Sequence, residues 1–247
     1  RGCRRVCAFG ALTLPGYDRR VQVGEGGLGR VYRATRISTG GTVAIKELRD
    51  VSEASPVWHR ALREVEAMLR LKGHPNVVSV EEILPGPNGP CIVMEYLVGG
   101  SLHDRIREVH LSVPEVVLVG QEVASALLAA HALGVIHRDV KPHNLLVSGF
   151  GHAKVADFGI AALVRDSGVR TQTRSLTLAY ASPEELDGAI DVGPPTDVYS
   201  LAATLAHLTT GVKPSFRDRT LSTLPFDHEP ALAHVSQALR RSLAIEP

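Results

Sequence analysis

Cysteine is scarce in this chain, with three in 247 residues. The count is odd, and no histidine or cysteine stands near Cys3 and Cys7 at zinc-ligand spacing. A disulfide framework and a structural metal site are poor explanations of the fold, and a reducing, cytoplasmic setting fits. Charge of one sign is also lacking: 27 basic residues stand against 26 acidic ones, a formal net charge of +1. That balance gives no electrostatic case for binding nucleic acid or an anionic membrane surface. The longest apolar stretch, "VVLVGQEVASALLAAHALGVI", is interrupted by Gln121, Glu122 and His131. No charge-free run approaches the ~20 residues that a membrane span needs, so the stretch reads as a buried helix. There is no internal repeat, no low-complexity tract and no signal peptide, and a first residue of Arg rather than Met points to a fragment.

What is present is ordinary globular material, 44% hydrophobic and 21% charged, long enough for one large domain or two lobes. "YDRRVQVGEG", "GRVYRATRI" and "GTVAIKEL" are β-rich runs between glycine clusters and predict an antiparallel meander. "SPVWHRALREVEAMLRLKG" places Leu62, Val65 and Leu69 at helical spacing, with a Ser-Pro start and a Gly stop. Strands "NVVSVEEIL" and "CIVMEYL" follow around the turn "PGPNGP", and long helices are expected near 114–133, 195–210 and 230–244. The pattern predicts an α+β chain with an N-terminal extension over 1–16, a small antiparallel β lobe with one main helix over 17–96, and a larger mainly helical lobe over 97–247.

Four features carry chemistry. "GEGGLGRV" puts Gly24, Gly26 and Gly29, with Val31, in a hairpin without Cβ atoms where a ligand would approach the backbone. A dinucleotide fingerprint would lead into a helix, whereas "RVYRATRI" reads as a strand. Lys46 of "VAIK" lies between this hairpin and a helix carrying Glu64 and its rival Glu66, with the spacing to "HPN" favouring Glu64. A strand lysine held by a helix carboxylate is placed to touch phosphate oxygens. In "VIHRDVKPHNLLV", Pro142 opposes a helix. The stretch reads as a charged loop between the short buried strands "GVI" and "LLV", a common carrier of catalysis. With "DFG" at 157–159, Asn144 and Asp157 supply hard oxygen ligands of the type Mg²⁺ accepts, and Asp139 is left to hold the proton of an attacking hydroxyl.

The ordered series "GEGGLGRV", "VAIK", Glu64, "HPN", "VMEYLVGG", "HRDVKPHN", "DFG", "LAYASPE" and "DVYSLA" resembles the catalytic domain of a bacterial eukaryotic-like serine/threonine protein kinase over nearly the whole chain. The resemblance implies the bilobal protein-kinase-like fold, ATP and Mg²⁺ as cofactors, and proteins bearing Ser or Thr as partners. It implies that Val23, Gly24, Glu25, Gly26 and Gly29 cover the phosphates. Lys46 would touch the α- and β-phosphates, fixed by Glu64, while Asn144 and Asp157 hold Mg²⁺. Asp139 would be the base and Lys141 the cation on the transferred phosphoryl group. Val31 and Ala44 would roof the adenine and Leu146 floor it. Met94 would stand at the back, with the backbone of Glu95 and Leu97 bonding the base. His137 is expected to be structural, packed on Phe158.

Lys141 after Asp139, with Thr177 before "AYASPE", resembles the serine/threonine pattern rather than the tyrosine one. Departures are Leu176, Ala162, Ala202 and Ser182 at places where relatives usually carry other residues. The loss of a cation at Ala162 bears on a possible phosphate switch in which Arg138 would pair with phosphorylated Thr171, Thr173 or Ser175. A kinase-like scaffold that binds nucleotide without turnover, and a small-molecule phosphotransferase, are the alternatives. The first usually lacks Lys, Asp or Asn at the key places, and the second is not expected to combine Arg138, Lys141 and "SPE". Membrane contact is not visible in the sequence. Finally, the resemblance implies an Arg partner for Glu184 that is not found before Pro247, with Arg240 or Arg241 as a substitute; this predicts a truncated chain or a disordered continuation, and a version about twenty residues longer more stable by about 1–3 kcal/mol.

Overall fold

The computed structural model describes residues 14–26, 29–48, 66, 68–86, 88–158, 178–187 and 192–214. The β-rich first part forms a five-stranded antiparallel sheet: β1 (Tyr17–Gly26), β2 (Gly29–Arg36), β3 (Thr42–Leu48), β4 (Val80–Gly86) and β5 (Gly89–Glu95), in the order β1-β2-β3-β5-β4. Burial follows neighbours. Edge strand β1 is mostly exposed, whereas central β3 and β5 are buried along most of their length. Gly29 is required by the packing: its φ is +150°, and a Cβ there would stand 1.8 Å from the Glu47 carbonyl oxygen. Leu14 is buried with Tyr17, Ala34, Val43, Ile45, Cys91 and Val93 in one core cluster of this lobe. Burial, and secondarily the charge of Glu47, push the Cys91 thiol up to about 11. It is therefore an inert core residue rather than a reactive one.

The second part begins with α1 (Leu102–Glu108), a helix too short to show in the periodicity; Ser101 caps it by accepting a hydrogen bond from the Asp104 N–H at 3.2 Å. Helix α2 (Val113–His131) opens with a capping box between Ser112 and Glu115. It is long and apolar enough by composition to cross a membrane. Here Val116, Val119, Val123, Ala126, Leu127 and Ala130 are buried in the core. Each fully buried Val or Leu contributes about 1.5–3 kcal/mol. The hairpin β6 (Leu145–Val147) and β7 (Ala153–Val155) packs beneath, followed by α3 (Pro183–Leu186) and α4 (Pro194–Thr210). Gly120 lets α4 come close to α2, since a Cβ there would meet Leu205 Cδ1 at 3.1 Å.

Several expectations change in detail. "LLV" is the strand β6, but "GVI" is not a strand: Val135 and Ile136 are half-buried coil. Its backbone is instead tied to the end of α2, with Val135 N–H donating to the Ala130 carbonyl. The strand expected from Asn76 begins at Val80, because Val77 and Val78 are drawn into contact with β7. On the helix before it, Met68 is buried and Leu69 is 38% exposed, so the inward face is offset by one residue from the expected one. Glu64, Leu62, Val65, residues 159–177 with the phosphate-switch candidates, and the helix expected at 230–244 lie outside the described residues.

Candidate active site

The hairpin and the lysine are brought together by register. Gly24 pairs with Val31 across β1 and β2, and Val31 pairs with Lys46 across β2 and β3, so the three form one row over the sheet. Glu25 is exposed beside Gly26, and Val23 is 49% exposed. Ala44 pairs with Met94 across β3 and β5. Both are core residues, with Val31, Leu97 and Leu146 packed half-buried against the same cluster. Together these residues form one apolar surface, of the kind on which a flat heterocycle lies.

The Glu95 side chain has a role that the sequence did not suggest. Its carboxylate accepts from the Ser79 N–H at 2.7 Å and from Lys154 Nζ at 2.7 and 3.0 Å, while its own N–H donates to the Ser79 carbonyl at 3.0 Å. Lys154 pairs with Leu146 in the β6–β7 hairpin, so this clasp ties the connection between the lobes to β7. Lys154→Ala is expected to destabilise the fold by about 1 kcal/mol and Lys154→Arg to restore it, as urea unfolding of the parent and both variants checks.

Lys46 is 5% exposed, and its Nζ lies 2.7 Å from Asp157 Oδ2. Burial pushes the Asp157 carboxyl up, but the charge and hydrogen bond of Lys46 outweigh it and hold the group below the ordinary carboxylate range. Asp157 is thus an anion at neutral pH. The rival Glu66 is exposed.

The charged loop is organised around Asp139. Lys141 Nζ donates to Asp139 Oδ1 at 2.9 Å and reaches Oδ2 at 2.8 Å. Asn144 Nδ2 donates to the Asp139 carbonyl at 2.7 Å and to Oδ2 at 2.9 Å. Both of these bonds use the amide nitrogen, so neither engages the Asn144 oxygen. The proline enters a single 3₁₀ turn, Pro142–Asn144, which carries Asn144 back beneath Asp139. Behind the loop, Ala156 N–H donates to the Asn144 carbonyl at 2.8 Å, which ties it to the segment leading into Asp157. Two hard oxygen donors, one anionic and one neutral, suit Mg²⁺ better than a soft metal.

His137 is fully buried. Its Nδ1 accepts from the Asp139 N–H at 3.1 Å, so its Nε2–H donates to the Ala156 carbonyl at 2.9 Å, and its ring lies 4.7 Å from that of Phe158. It is a strut between loop and β7 rather than a proton carrier. Arg138 and Asp157 both have φ of +63°, in the sparsely populated left-handed region for side-chain-bearing residues. For Arg138 the restraint is Asp197. This carboxylate is fully buried at the start of α4 and accepts from the His137 N–H, the Arg138 N–H and His131 Nε2, each at 2.8 Å. Asp197 was visible in "DVYSLA" only as a motif letter. A lone Asp near a helix start signals a cap, and nothing local shows that its partners lie about sixty positions earlier.

Glu184 needs a correction. It has a partner among the described residues: Thr196 Oγ1 donates to its Oε1 at 2.7 Å. Ser182, fully buried, caps α3 with Glu185 as the reciprocal partner. Burial raises the Glu184 carboxyl, but the bonds from Thr196, its own N–H and Ser182 together hold it below the ordinary 4.5. A depressed carboxyl stabilises the fold above its unfolded pKa, and that contribution is lost as pH falls through the folded value. Thr196→Val is expected to cost about 1 kcal/mol at neutral pH. The cost should shrink below the ordinary pKa of 4.5, as urea melts at the two pH values will show.

The sequence matches the protein kinase domain family over residues 17–238, and the chain belongs to that family. It is 40% identical over 203 residues to the serine/threonine-protein kinase PknK of Mycobacterium tuberculosis, covering 81% of this chain and 18% of the relative. It is 36% identical over 214 residues to CBL-interacting serine/threonine-protein kinase 16 of Arabidopsis thaliana, covering 82% of this chain and 45% of that protein. The chain therefore spans less than half the length of these relatives. Among solved structures it resembles the kinase domain of Mycobacterium tuberculosis PknI, with a TM-score of 0.73 and 32% identity, covering 95% of this chain and 90% of the other.

Proposed function

We propose that the chain transfers the γ-phosphoryl group of ATP to Ser and Thr hydroxyls of protein substrates, its own included. The observation that carries this is two contacting groups, Lys46 with Asp157 and Asp139 with Lys141 and Asn144, tied together where Ala156 N–H donates to the Asn144 carbonyl one residue before Asp157. Adenine lies on the apolar surface of Val31, Ala44, Met94, Leu97 and Leu146, with the backbone of Glu95 and Leu97 as its polar edge. Lys46 grips phosphate oxygens, and the glycine hairpin covers them. Mg²⁺, when held by Asp157 and Asn144, supplies neutralisation of phosphate charge.

Asp139 accepts the proton of the incoming hydroxyl, with its carboxylate oriented by Asn144. Lys141, already at hydrogen-bond distance from Asp139, places its ammonium between base and transferred group, where negative charge develops. These groups act by position and charge in a site that excludes water, which is what phosphoryl transfer chiefly requires. We place the activity in the cytoplasm, which supplies ATP and keeps thiols reduced. The test is incubation with ATP and Mg²⁺ followed by mass-spectrometric mapping. Phosphate on Ser and Thr supports the reading, whereas phosphotyrosine alone, or nucleotide binding without transfer, overturns it.

A further inference from the structure

Of eleven histidines in the chain, two form a stacked pair beside Asp139 that the reading above leaves unused. His143, exposed, occupies the 3₁₀ turn between Pro142 and Asn144. Its ring stacks on that of His103 from α1, with centroids 3.6 Å apart and planes inclined by 17°. His103 Nδ1 is buried without a hydrogen-bond partner among the described residues. Behind the pair, Tyr180 and His207 share a bond of 2.6 Å that anchors α4. Burial, with the charges of His103 and Lys213, pushes His207 down to about 4, so this backing imidazole carries no charge at neutral pH.

We propose that the His103–His143 pair is a subsite for an anionic side chain, a carboxylate or a phosphate monoester, close in sequence to the Ser or Thr being phosphorylated. This rests on the kinase reading and names its substrate class. A substrate must bring its hydroxyl to Asp139, and an extended chain advances about 3.3–3.6 Å per residue. Side chains within two or three residues of the acceptor therefore pass over the surface next to Asp139, where His143 is exposed. That surface offers imidazole N–H donors, with Lys141 two positions before His143 in the same loop. Arg107 lies one turn beyond His103 on α1, at the spacing that shares a helix face.

A basic side chain finds no equivalent welcome. Of the nearby carboxylates, Asp139 is bonded by Lys141 and Asn144, and Asp104 accepts from Ser101 Oγ at 2.6 Å. A guanidinium placed here would meet two imidazoles and carboxylates that already have partners. Specificity is the difference between these two outcomes.

The experiment compares kcat/KM for peptides sharing one Thr acceptor and flanked by Asp, by Ala, by Arg or by phosphoserine. The Asp- or phosphoserine-flanked peptides are expected to exceed the Arg-flanked one at least tenfold, and whichever of the two is higher identifies the anion. His143→Glu and His103→Glu, measured separately, should each bring the acidic-to-basic ratio below one. A ratio is read so that a general loss of activity cancels. Equal rates for all peptides, or a ratio unmoved in both variants, overturn the subsite and leave the kinase reading standing. No turnover with any peptide overturns the kinase reading and the subsite with it.

Discussion

Replacing Asp157 by Asn is expected to lower the rate of phosphoryl transfer by about 10³-fold or more, the scale on which single preorganised charges and donors act in such sites. The substitution keeps shape and removes charge. Asn tolerates the left-handed backbone better than other non-glycine residues, so the φ of +63° at this position should survive. What is lost is the anion that opposes the Lys46 ammonium and the carboxylate that would hold Mg²⁺. Lys46 is 5% exposed, and a buried cation deprived of its partner also weakens the fold. The rate is therefore measured in single turnovers at saturating ATP, at a temperature where circular dichroism shows the variant folded. Transfer within tenfold of the parent would remove Asp157 from the chemistry.

The second large effect is expected at Asp197, which touches no reactant. Asp197→Ala leaves two backbone N–H groups and His131 without their acceptor in a fully buried place. Each orphaned buried donor costs about 1–3 kcal/mol, so a total loss of about 3–5 kcal/mol is expected in urea unfolding. Asp197→Asn is the milder probe, since one amide oxygen still accepts while the NH₂ group confronts a donor. There kcat should fall about 10²-fold, the cost of a misplacement on the order of 1 Å. KM for ATP should hardly change, because the nucleotide site proposed above draws on the other lobe and β6. A variant that folds normally and keeps full kcat would show that the loop holds its shape without this carboxylate.

How much of this was legible depended on whether the determinants lie near one another in the chain. Strands β1 to β3 were readable because alternating β-branched residues between glycines specify a meander locally. Helices α2 and α4 were readable from their long apolar faces. The residues of the proposed site stood out only as a series of motifs, since no single one distinguishes a catalytic loop from a turn. Three things escaped. Helix α1 spans too few turns to show a period. "GVI" has the composition of a strand but is bound to the end of α2, so tertiary hydrogen bonding overrode propensity. The partners that tie Asp197 to the loop and Glu95 to Lys154 are remote in sequence, and remote pairing leaves no local pattern.

The contacts of β7 set how the two lobes can move. Besides the clasp at Lys154, Val78 N–H donates to the Val155 carbonyl, Val155 N–H to the Asn76 carbonyl, and Asn76 Nδ2 to the Ala153 carbonyl. Every residue of this three-residue strand is thus fastened to the chain that runs into the upper sheet. With the covalent connection at Glu95, that makes an attachment along a line rather than at a point. Free swivelling is ruled out, and opening becomes rotation about an axis close to β7. Asp157 follows β7 by two positions and so sits near the axis, where rotation displaces atoms least. Lys46, out on β3, has the longer lever arm. A breathing motion would therefore part the ion pair by swinging the lysine away, while the Asp157 carboxylate stays in register with Asp139 and Asn144.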